Sequence, residues 1–188
     1  MTTIDTAALT AETGEYKLDL AHTRVGFSAR HAMVSKVRGQ FNQFDGSLYL
    51  DGDNPANSHV ELTIQAESID TRNPDRDNHL RSNDFLAMKE YPEITFRSTQ
   101  VEKLDAGHFR VTGDLTIRGI TKAVAVDFEF SGTVVDPWGN TRVGFDGGTT
   151  INRKDWGVSW NAALDGGGVM VSDKINLEFE VEATKVTA

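Results

Sequence analysis

HFRVTGDLTIRGITKAVAVDFEF, residues 108–130, decides the fold class of this chain, because apolar and polar side chains alternate through most of it. This two-residue period is typical of β-strands that have one dry face and one wet face. The alternation is interrupted at Arg118 and Gly119, where glycine tolerates the positive φ that a tight turn requires. The stretch therefore predicts two antiparallel strands joined by a short hairpin turn.

The same alternation recurs along the chain in eight segments. Their apolar faces are Val25, Phe27 and Ala29; Val37, Phe41, Leu48 and Leu50; Val60, Leu62, Ile64 and Ala66; Ile94 and Phe96; Phe109, Val111, Leu115 and Ile117; Val124, Val126, Phe128 and Phe130; Val143 and Phe145; and Ile175, Leu177, Phe179 and Val181. Residues rich in Gly, Asn, Asp and Pro separate several of these segments, at 51–55, 105–107 and 136–140. Such turns favour hairpins, so we expect neighbouring strands to be antiparallel.

An even number of antiparallel strands in up-and-down order brings the first and last strands together, so the sheet closes without a bare edge. We therefore predict an all-β fold, an eight-stranded antiparallel up-and-down β-barrel. One helical lid segment is predicted around residues 73–88, because Asn73 suits a helix cap and Pro74 suits the first helical position. A barrel of this size encloses packed side chains or one small ligand, and the pattern leaves both possibilities open.

Length and charge narrow the functional classes. The 188 residues suit a single domain, which we assign to residues 15–188, with a flexible tail at 1–14. The formal charge of 19 − 28 = −9 disfavours nucleic acid as a partner. Stable membrane insertion is not expected, since no apolar run approaches the ~20 residues of a membrane span. The first ten residues lack the pattern of a secretory signal, so a cytoplasmic location is expected.

Strand direction and residue parity place three polar side chains together at one rim of the predicted barrel. His31, Asp70 and Arg153 each lie an even number of positions from an inward apolar residue, so their side chains should also point inward. All three lie under the predicted lid. A polar mouth above an apolar shaft is the arrangement of a small-ligand site. The alternative is a structural rim in which Arg153 pairs with Asp155.

Several long motifs in this order resemble the YceI-like family, the polyisoprenoid-binding proteins with an extended lipocalin-like barrel. They are LDLAHT (18–23), KVRGQF (36–41), SIDT (68–71), RDNHLRSNDF (76–85), YPEITFRS (91–98), GDLTIRGITK (113–122) and RKDWG (153–157). The resemblance implies binding, sequestration or transport of a long-chain polyisoprenoid lipid, such as a polyprenyl phosphate or an isoprenoid quinone. It implies no chemical reaction. Many family members carry a secretory signal, which this chain does not show.

We assign ligand contacts on this basis. The predicted tail-binding residues are Phe27, Met33, Phe41, Phe44, Ile64, Leu80, Phe85, Phe96, Leu115, Phe128, Phe145, Trp156 and Val158, and the predicted head-group residues are His31, Asp70 and Arg153. No metal site is predicted, because the five histidines match no ligand spacing. No catalytic residue is predicted, because no serine lies in a nucleophile-elbow motif and the acidic residues Asp75, Asp77, Asp84 and Glu90 have the pattern of a solvated helix surface. No cofactor is required beyond the bound lipid, and a homodimer is possible. Two alternatives remain: an enzyme acting on an isoprenoid lipid with His31 as acid or base, and a filled-core structural barrel.

Overall fold

The computed structural model describes residues 12–187, in which eleven β-strands and a single α-helix are found. The strands are β1 Gly14–Leu18, β2 Arg24–His31, β3 Ser35–Phe41, β4 Phe44–Leu50, β5 His59–Gln65, β6 Ile69–Asp70, β7 Glu93–Asp105, β8 His108–Ile117, β9 Ile120–Val135, β10 Thr141–Asn152 and β11 Val171–Lys185. The helix is α1, Pro74–Arg81. Short 3-10 turns occupy Pro55–Asn57, Ala66–Ser68 and Arg153–Trp156.

The strands close into a barrel in which every pairing is antiparallel. Pairing runs through β1, β4, β5, β7, β8, β9, β10 and β11 and returns to β1. Along its length β11 pairs with β2 and then with β1, so β1 and β2 are two segments of one barrel strand. The segments β3 and β4 form a second interrupted strand in the same way, and β5 and β6 form a third. The barrel therefore has eight strands in up-and-down order, which confirms the predicted fold.

The start of the domain differs from the sequence prediction. Gly14, which the prediction places in the tail, is the first residue of β1 and pairs with Leu50. Tyr16 in β1 is fully buried, and its hydroxyl donates to the Glu12 carbonyl at 2.7 Å. Burial, with the nearby Glu12 carboxylate, raises the pKa of Tyr16 to about 12. The rest of the predicted tail, up to residue 11, lies outside the described residues.

The helical part of the lid is shorter than predicted. Asn73 caps α1 as expected, since its side-chain oxygen accepts from the Arg76 backbone N–H at 3.1 Å. The helix ends at Arg81 because the Ser82 hydroxyl donates to the His79 carbonyl at 2.6 Å, and serine competes in this way with helical hydrogen bonding. The remaining lid residues, to about Tyr91, form consecutive turns over the barrel.

A salt-bridge network links β10 to three other segments at the end of the barrel opposite α1. The Arg142 guanidinium in β10 lies 2.5 Å from Asp19, 2.9 Å from Asp136 and 3.2 Å from Glu182. Burial alone would raise the pKa of Asp19, but hydrogen bonds from His22 and Arg142 lower it to about 2. Hydrogen bonds from Asn140 and Arg142 likewise outweigh desolvation and lower the pKa of Asp136 to about 2.

This network predicts an acid-sensitive contribution to stability. A depressed carboxyl pKa stabilises the fold above the unfolded value of about 3.9, and that contribution is lost as the pH falls towards the folded value. We expect Arg142→Met to lower the melting temperature clearly at about pH 6 and to do so much less at about pH 2.5. Thermal unfolding of both proteins across this range measures the difference.

Arg110 provides a matched control, because its ion pair with Asp127 joins only two neighbouring strands on the exposed outer face. Surface pairs contribute about 0–1 kcal/mol, so Arg110→Met is expected to change stability little. A melting-temperature deficit of Arg142→Met that stayed constant from neutral to acid pH would contradict the assigned role of Arg142.

Candidate functional site

The barrel interior contains a cavity of about 740 Å³. It extends from His79 and Leu80 of α1 to Pro55 and Ser58 in the connection between β4 and β5. Apolar side chains from all eight strands make most of its wall, including Val25, Leu62, Ile94, Leu115, Val126, Phe145 and Leu177. Small-molecule sites span ~300–1,000 Å³, so the volume is that of a ligand site. The interior is open, which argues against the filled-core alternative.

Glycines in neighbouring strands keep three large rings against the wall. Phe27 lies directly opposite Gly39, and a Cβ atom on Gly39 would lie only 2.4 Å from the Phe27 ring. Phe128 likewise lies directly opposite Gly147, where an added Cβ atom would lie 2.4 Å from the ring. Phe96 lies diagonally across from Gly113, where an added Cβ atom would lie 2.5 Å from the ring. Each ring therefore occupies the space of a missing side chain. This packing leaves the centre of the barrel free without removing aromatic surface from its wall.

Aromatic side chains cluster where the lid covers the cavity. The His79 ring lies 4.6 Å from the Trp160 ring and 5.0 Å from the Phe85 ring, measured between centroids and with near-perpendicular planes. His79 Nε2 lies 2.8 Å from an Asp84 oxygen. These contacts join α1, the turns after it and the connection between β10 and β11. The cluster lines one end of the cavity.

A buried clamp attaches α1 to the end of β6. The Asp77 carboxylate accepts from the Thr71 hydroxyl at 2.5 Å and from its backbone N–H at 2.9 Å. Arg76 donates in turn to the Thr71 hydroxyl and carbonyl, both at 2.7 Å. Asp77 is only 6% exposed, so the sequence interpretation of its helix as a solvated acidic surface is wrong at this position. The clamp directs Arg76 to the cavity, a role that sequence reasoning missed.

Most of the predicted tail-binding residues lie on the cavity. Those that line it are Phe27, Phe41, Ile64, Leu80, Phe85, Phe96, Leu115, Phe128, Phe145, Trp156 and Val158. Met33 does not, because it stands in the turn between β2 and β3, where its side chain is 67% exposed and its sulfur lies beside Gly168. Phe44 packs instead among the core side chains around Ile64. Whether the lining residues contact a ligand stays a prediction.

Asp70 lies outside the cavity, although its parity with Ile64 predicts an inward direction. The 3-10 turn Ala66–Ser68 interrupts the strand and changes the phase of the alternation. Ile69 is consequently the buried residue and lines the cavity. The Asp70 carboxylate accepts instead from Asn42 at 3.1 Å and from the Arg72 backbone N–H at 2.9 Å. These hydrogen bonds lower the pKa of Asp70.

His31 and Arg153 both line the cavity at its lid end. The Arg153 guanidinium is buried and donates to the Val158 carbonyl at 2.7 Å and to the Ser172 carbonyl at 2.9 Å. Its acidic neighbour is Asp173 at 3.8 Å, not Asp155. Burial lowers the pKa of Arg153. Its hydrogen bonds hold the connection between β10 and β11 in place.

The two tryptophans near the lid have different environments. Trp156 is 3% exposed and donates from Nε1 to the Leu115 carbonyl at 2.9 Å, so it packs as part of the wall. Trp160 is half-buried and contacts the rings of His79 and Phe85. Trp160 therefore packs with the lid over the cavity, whereas Trp156 is a buried part of the cavity wall.

One group of side chains has a possible metal-ligand geometry within residues 12–187. Donor atoms of Asp19, His22 and Glu182 lie within 4.8 Å of one another. The Arg142 guanidinium already contacts both carboxylates. The group is therefore described better as the salt-bridge network of Arg142 than as a metal centre.

The sequence matches the model of the YceI-like domain over residues 16–183. The chain belongs to the YceI-like family. A UPF0312 protein of Pectobacterium atrosepticum is 41% identical over 155 residues, which cover 81% of this chain and 80% of that protein. A UPF0312 protein of Vibrio cholerae is 36% identical over 177 residues, which cover 93% of this chain and 89% of that one.

Solved structures share the YceI-like barrel. The Campylobacter jejuni YceI protein has a TM-score of 0.73 and 35% identity, with 90% of this chain and 97% of that chain covered. BcnA of Burkholderia cenocepacia has a TM-score of 0.79 at 24% identity, covering 89% and 99%. A polyisoprenoid-binding domain of Saccharophagus degradans has a TM-score of 0.67 at 16% identity, covering 91% and 98%. No helix within residues 12–187 is long and apolar enough to cross a membrane.

Proposed function

We propose that this YceI-like protein binds a long-chain polyisoprenoid lipid, with the tail inside the barrel and a polar head at the lid end. The observation that carries the proposal is the open apolar cavity, which no packed side chains fill. A domain with the same fold is named for polyisoprenoid binding, which supports this ligand class for the family's barrel. A polyprenyl phosphate and an isoprenoid quinone both have the required shape.

An apolar lining favours a hydrocarbon ligand on energetic grounds. Larger ligands gain about 0.3 kcal/mol per heavy atom, so a tail of ~40 carbons would gain ~12 kcal/mol. The polar lining is limited mainly to the two ends of the cavity. A ligand with polar groups along its length would leave them without hydrogen bonds in the middle of the barrel. Tail contacts therefore supply most of the proposed affinity.

Two side chains at the lid end suit a small polar head. Arg76 lines the cavity, and its Nη1 atom makes none of the hydrogen bonds that hold Arg76 to Thr71. His31 lines the same end and can donate to a phosphate or quinone oxygen. We propose these two as head-group contacts, and we assign Arg153 to support of the adjoining loop. No further cofactor is needed for binding.

Binding describes the site better than catalysis. A histidine acid or base is usually oriented by a hydrogen-bonded partner. In the described part of the chain, His31 has no such side-chain partner. An enzyme acting on an isoprenoid lipid would require turnover that a His31 substitution abolishes without unfolding the protein, and activity of that kind would replace the binding proposal.

Native mass spectrometry of freshly purified protein tests the proposal, together with mass analysis of its organic extract. We expect a co-purified isoprenoid in an amount approaching one per chain. Titration with prenyl alcohols of increasing length should show the affinity rising about 10-fold per isoprene unit until the cavity is filled. Short and long tails that bound equally well would exclude a tail site in the barrel.

A further inference from the structure

The turn between β2 and β3, residues 31–34, exposes two adjacent apolar side chains at the lid end of the barrel. Met33 is 67% exposed and Val34 is 81% exposed. The turn is well formed, since the Val34 N–H donates to the His31 carbonyl at 3.1 Å. Adjacent exposed apolar residues at a projecting tip mark a contact surface more often than single ones do.

The backbone of this turn is unfavourable for its residues. Ala32 has φ of 50° and Met33 has φ of 62°, as in a type I′ turn. Both values lie in the left-handed region, where a Cβ atom clashes with the backbone, and Asn-Gly is the usual pair at these positions. The chain therefore has an alanine and a methionine where other residues would stabilise the hairpin. Strain of this kind concentrates at functional surfaces.

The outer face of the same hairpin is basic. Asp173 of β11 lines the same surface depression as Arg30 and Lys36, but it pairs with Arg153 and Lys154. Arg30 lies directly opposite Lys36, and Arg38 follows on the same face. Like charges opposite one another destabilise a strand pair. Residues 30–38 contain these three basic residues and no acidic residue. Within residues 12–187, none of the three side chains forms an ion pair.

Exposure of the apolar tip and the unpaired positive charge are both unfavourable for the isolated barrel, and a single partner would compensate both. We propose that the β2–β3 hairpin docks the lid end of the barrel on an anionic lipid bilayer. Met33 and Val34 enter the boundary of the acyl chains, while Arg30, Lys36 and Arg38 face the anionic head groups. Apolar tips flanked by Lys and Arg bind membrane surfaces in this way. A second copy presenting the same hairpin would bring like charges together instead.

The charge of the whole chain sets the orientation of docking. Outside residues 30–38 the net charge is −9 − 3 = −12, so most of the surface is repelled by anionic lipid. The opposite end also exposes large apolar side chains, Val134, Val135 and Trp138, but they lie beside the Asp136 carboxylate. Within residues 12–187, the exposed apolar pair Met33 and Val34, with three basic residues that form no ion pair beside it, lies at the lid end. If the proposed function holds, this orientation places the cavity mouth where a water-insoluble tail leaves the bilayer.

Vesicle sedimentation of the full-length protein tests docking. The vesicles are phosphatidylcholine alone and phosphatidylcholine with phosphatidylglycerol. We expect partitioning only onto the anionic vesicles and its loss at high salt. Met33→Ser combined with Val34→Ser should weaken it about 10-fold. Arg30→Gln combined with Lys36→Gln should weaken it comparably. Val135→Ser combined with Trp138→Ser is the matched control at the opposite end and should leave it unchanged.

A turn-replacement variant separates docking from a structural role of the hairpin. Ala32→Asn with Met33→Gly introduces the favoured turn residues, so it should raise the melting temperature and still weaken vesicle binding. Absence of wild-type partitioning onto anionic vesicles, or equal partitioning of the wild type and the tip variants, would overturn the proposal. Lipid occupancy measured by native mass spectrometry is a separate readout, so failure of docking and failure of the proposed function are distinguishable.

Discussion

Ala29→Trp is expected to abolish binding of a long prenyl lipid while the barrel stays folded. Ala29 lines the cavity from β2 and lies opposite Val37 of β3 and Ile175 of β11. An indole at this position would occupy space otherwise available to about ten ligand atoms. At about 0.3 kcal/mol per atom, the loss is ~3 kcal/mol, or at least ~100-fold in affinity.

Ala29→Trp should lower lipid affinity without lowering the stability of the fold. A side chain that enters an empty apolar space gains dispersion contacts without displacing packed neighbours. The melting temperature of Ala29→Trp should therefore equal or exceed that of the wild type. Thermal unfolding and lipid titration on the same preparation measure the two effects together.

Ala125→Trp is the matched control for this experiment. Ala125 is an exposed residue in β9, between the buried Val124 and Val126, so its side chain points out of the barrel. The same substitution there should leave affinity unchanged. A folded Ala29→Trp protein that retained wild-type affinity would show that the tail does not occupy the barrel.

Gly39→Ala is expected to destabilise the fold by about 1–3 kcal/mol, because it overpacks the contact with Phe27. Alanine normally stabilises a strand relative to glycine by roughly 0.5–1 kcal/mol, so the sign of the change tests the packing. The nearest atoms to the added Cβ are in the side chains of Phe27, at 2.4 and 2.9 Å, and Thr71, at 2.9 Å. The simplest relief is rotation of the Phe27 ring into the cavity, which should also lower lipid affinity.

A double-mutant cycle isolates this contact. In a Phe27→Leu background the ring is absent, so the cost of Gly39→Ala should be much smaller. Gly144→Ala is the control, since a Cβ atom there meets its nearest neighbour at an ordinary 3.4 Å. We expect that control to be neutral or stabilising. An equal cost of Gly39→Ala with and without the Phe27 ring would exclude the ring as the cause.

The sequence predicted the features that depend on residues close to one another along the chain. Alternation in residues 108–130 and the turn at Gly119 identified β8 and β9, and Asn73 with Pro74 identified the start of α1. Along uninterrupted strands, the alternation of apolar and polar residues also predicted which side chains point inward. It correctly placed Phe96, Leu115 and Phe128 on the cavity. In these regions the period of the backbone alone sets the direction of each side chain.

Prediction failed where the phase of a strand changed or where a partner was distant in sequence. The turn Ala66–Ser68 exchanged the directions expected of Ile69 and Asp70. Asp77 has the pattern of a solvated helix residue, and only the docking of α1 against Thr71 buries it. Gly14 was missed as a strand residue because β1 is short and pairs with β4 and β11, far along the chain.

By itself, the sequence determined that this chain forms eight antiparallel strands with one capped helix, since period, turn residues and caps act over a few positions. Only the tertiary structure decided that the barrel is open and that Arg76 and His79 reach its mouth. The free volume depends on which side chain of one strand lies over which glycine of the next, as with Phe27 and Gly39. That register is set between strands, so no pattern within a single strand contains it.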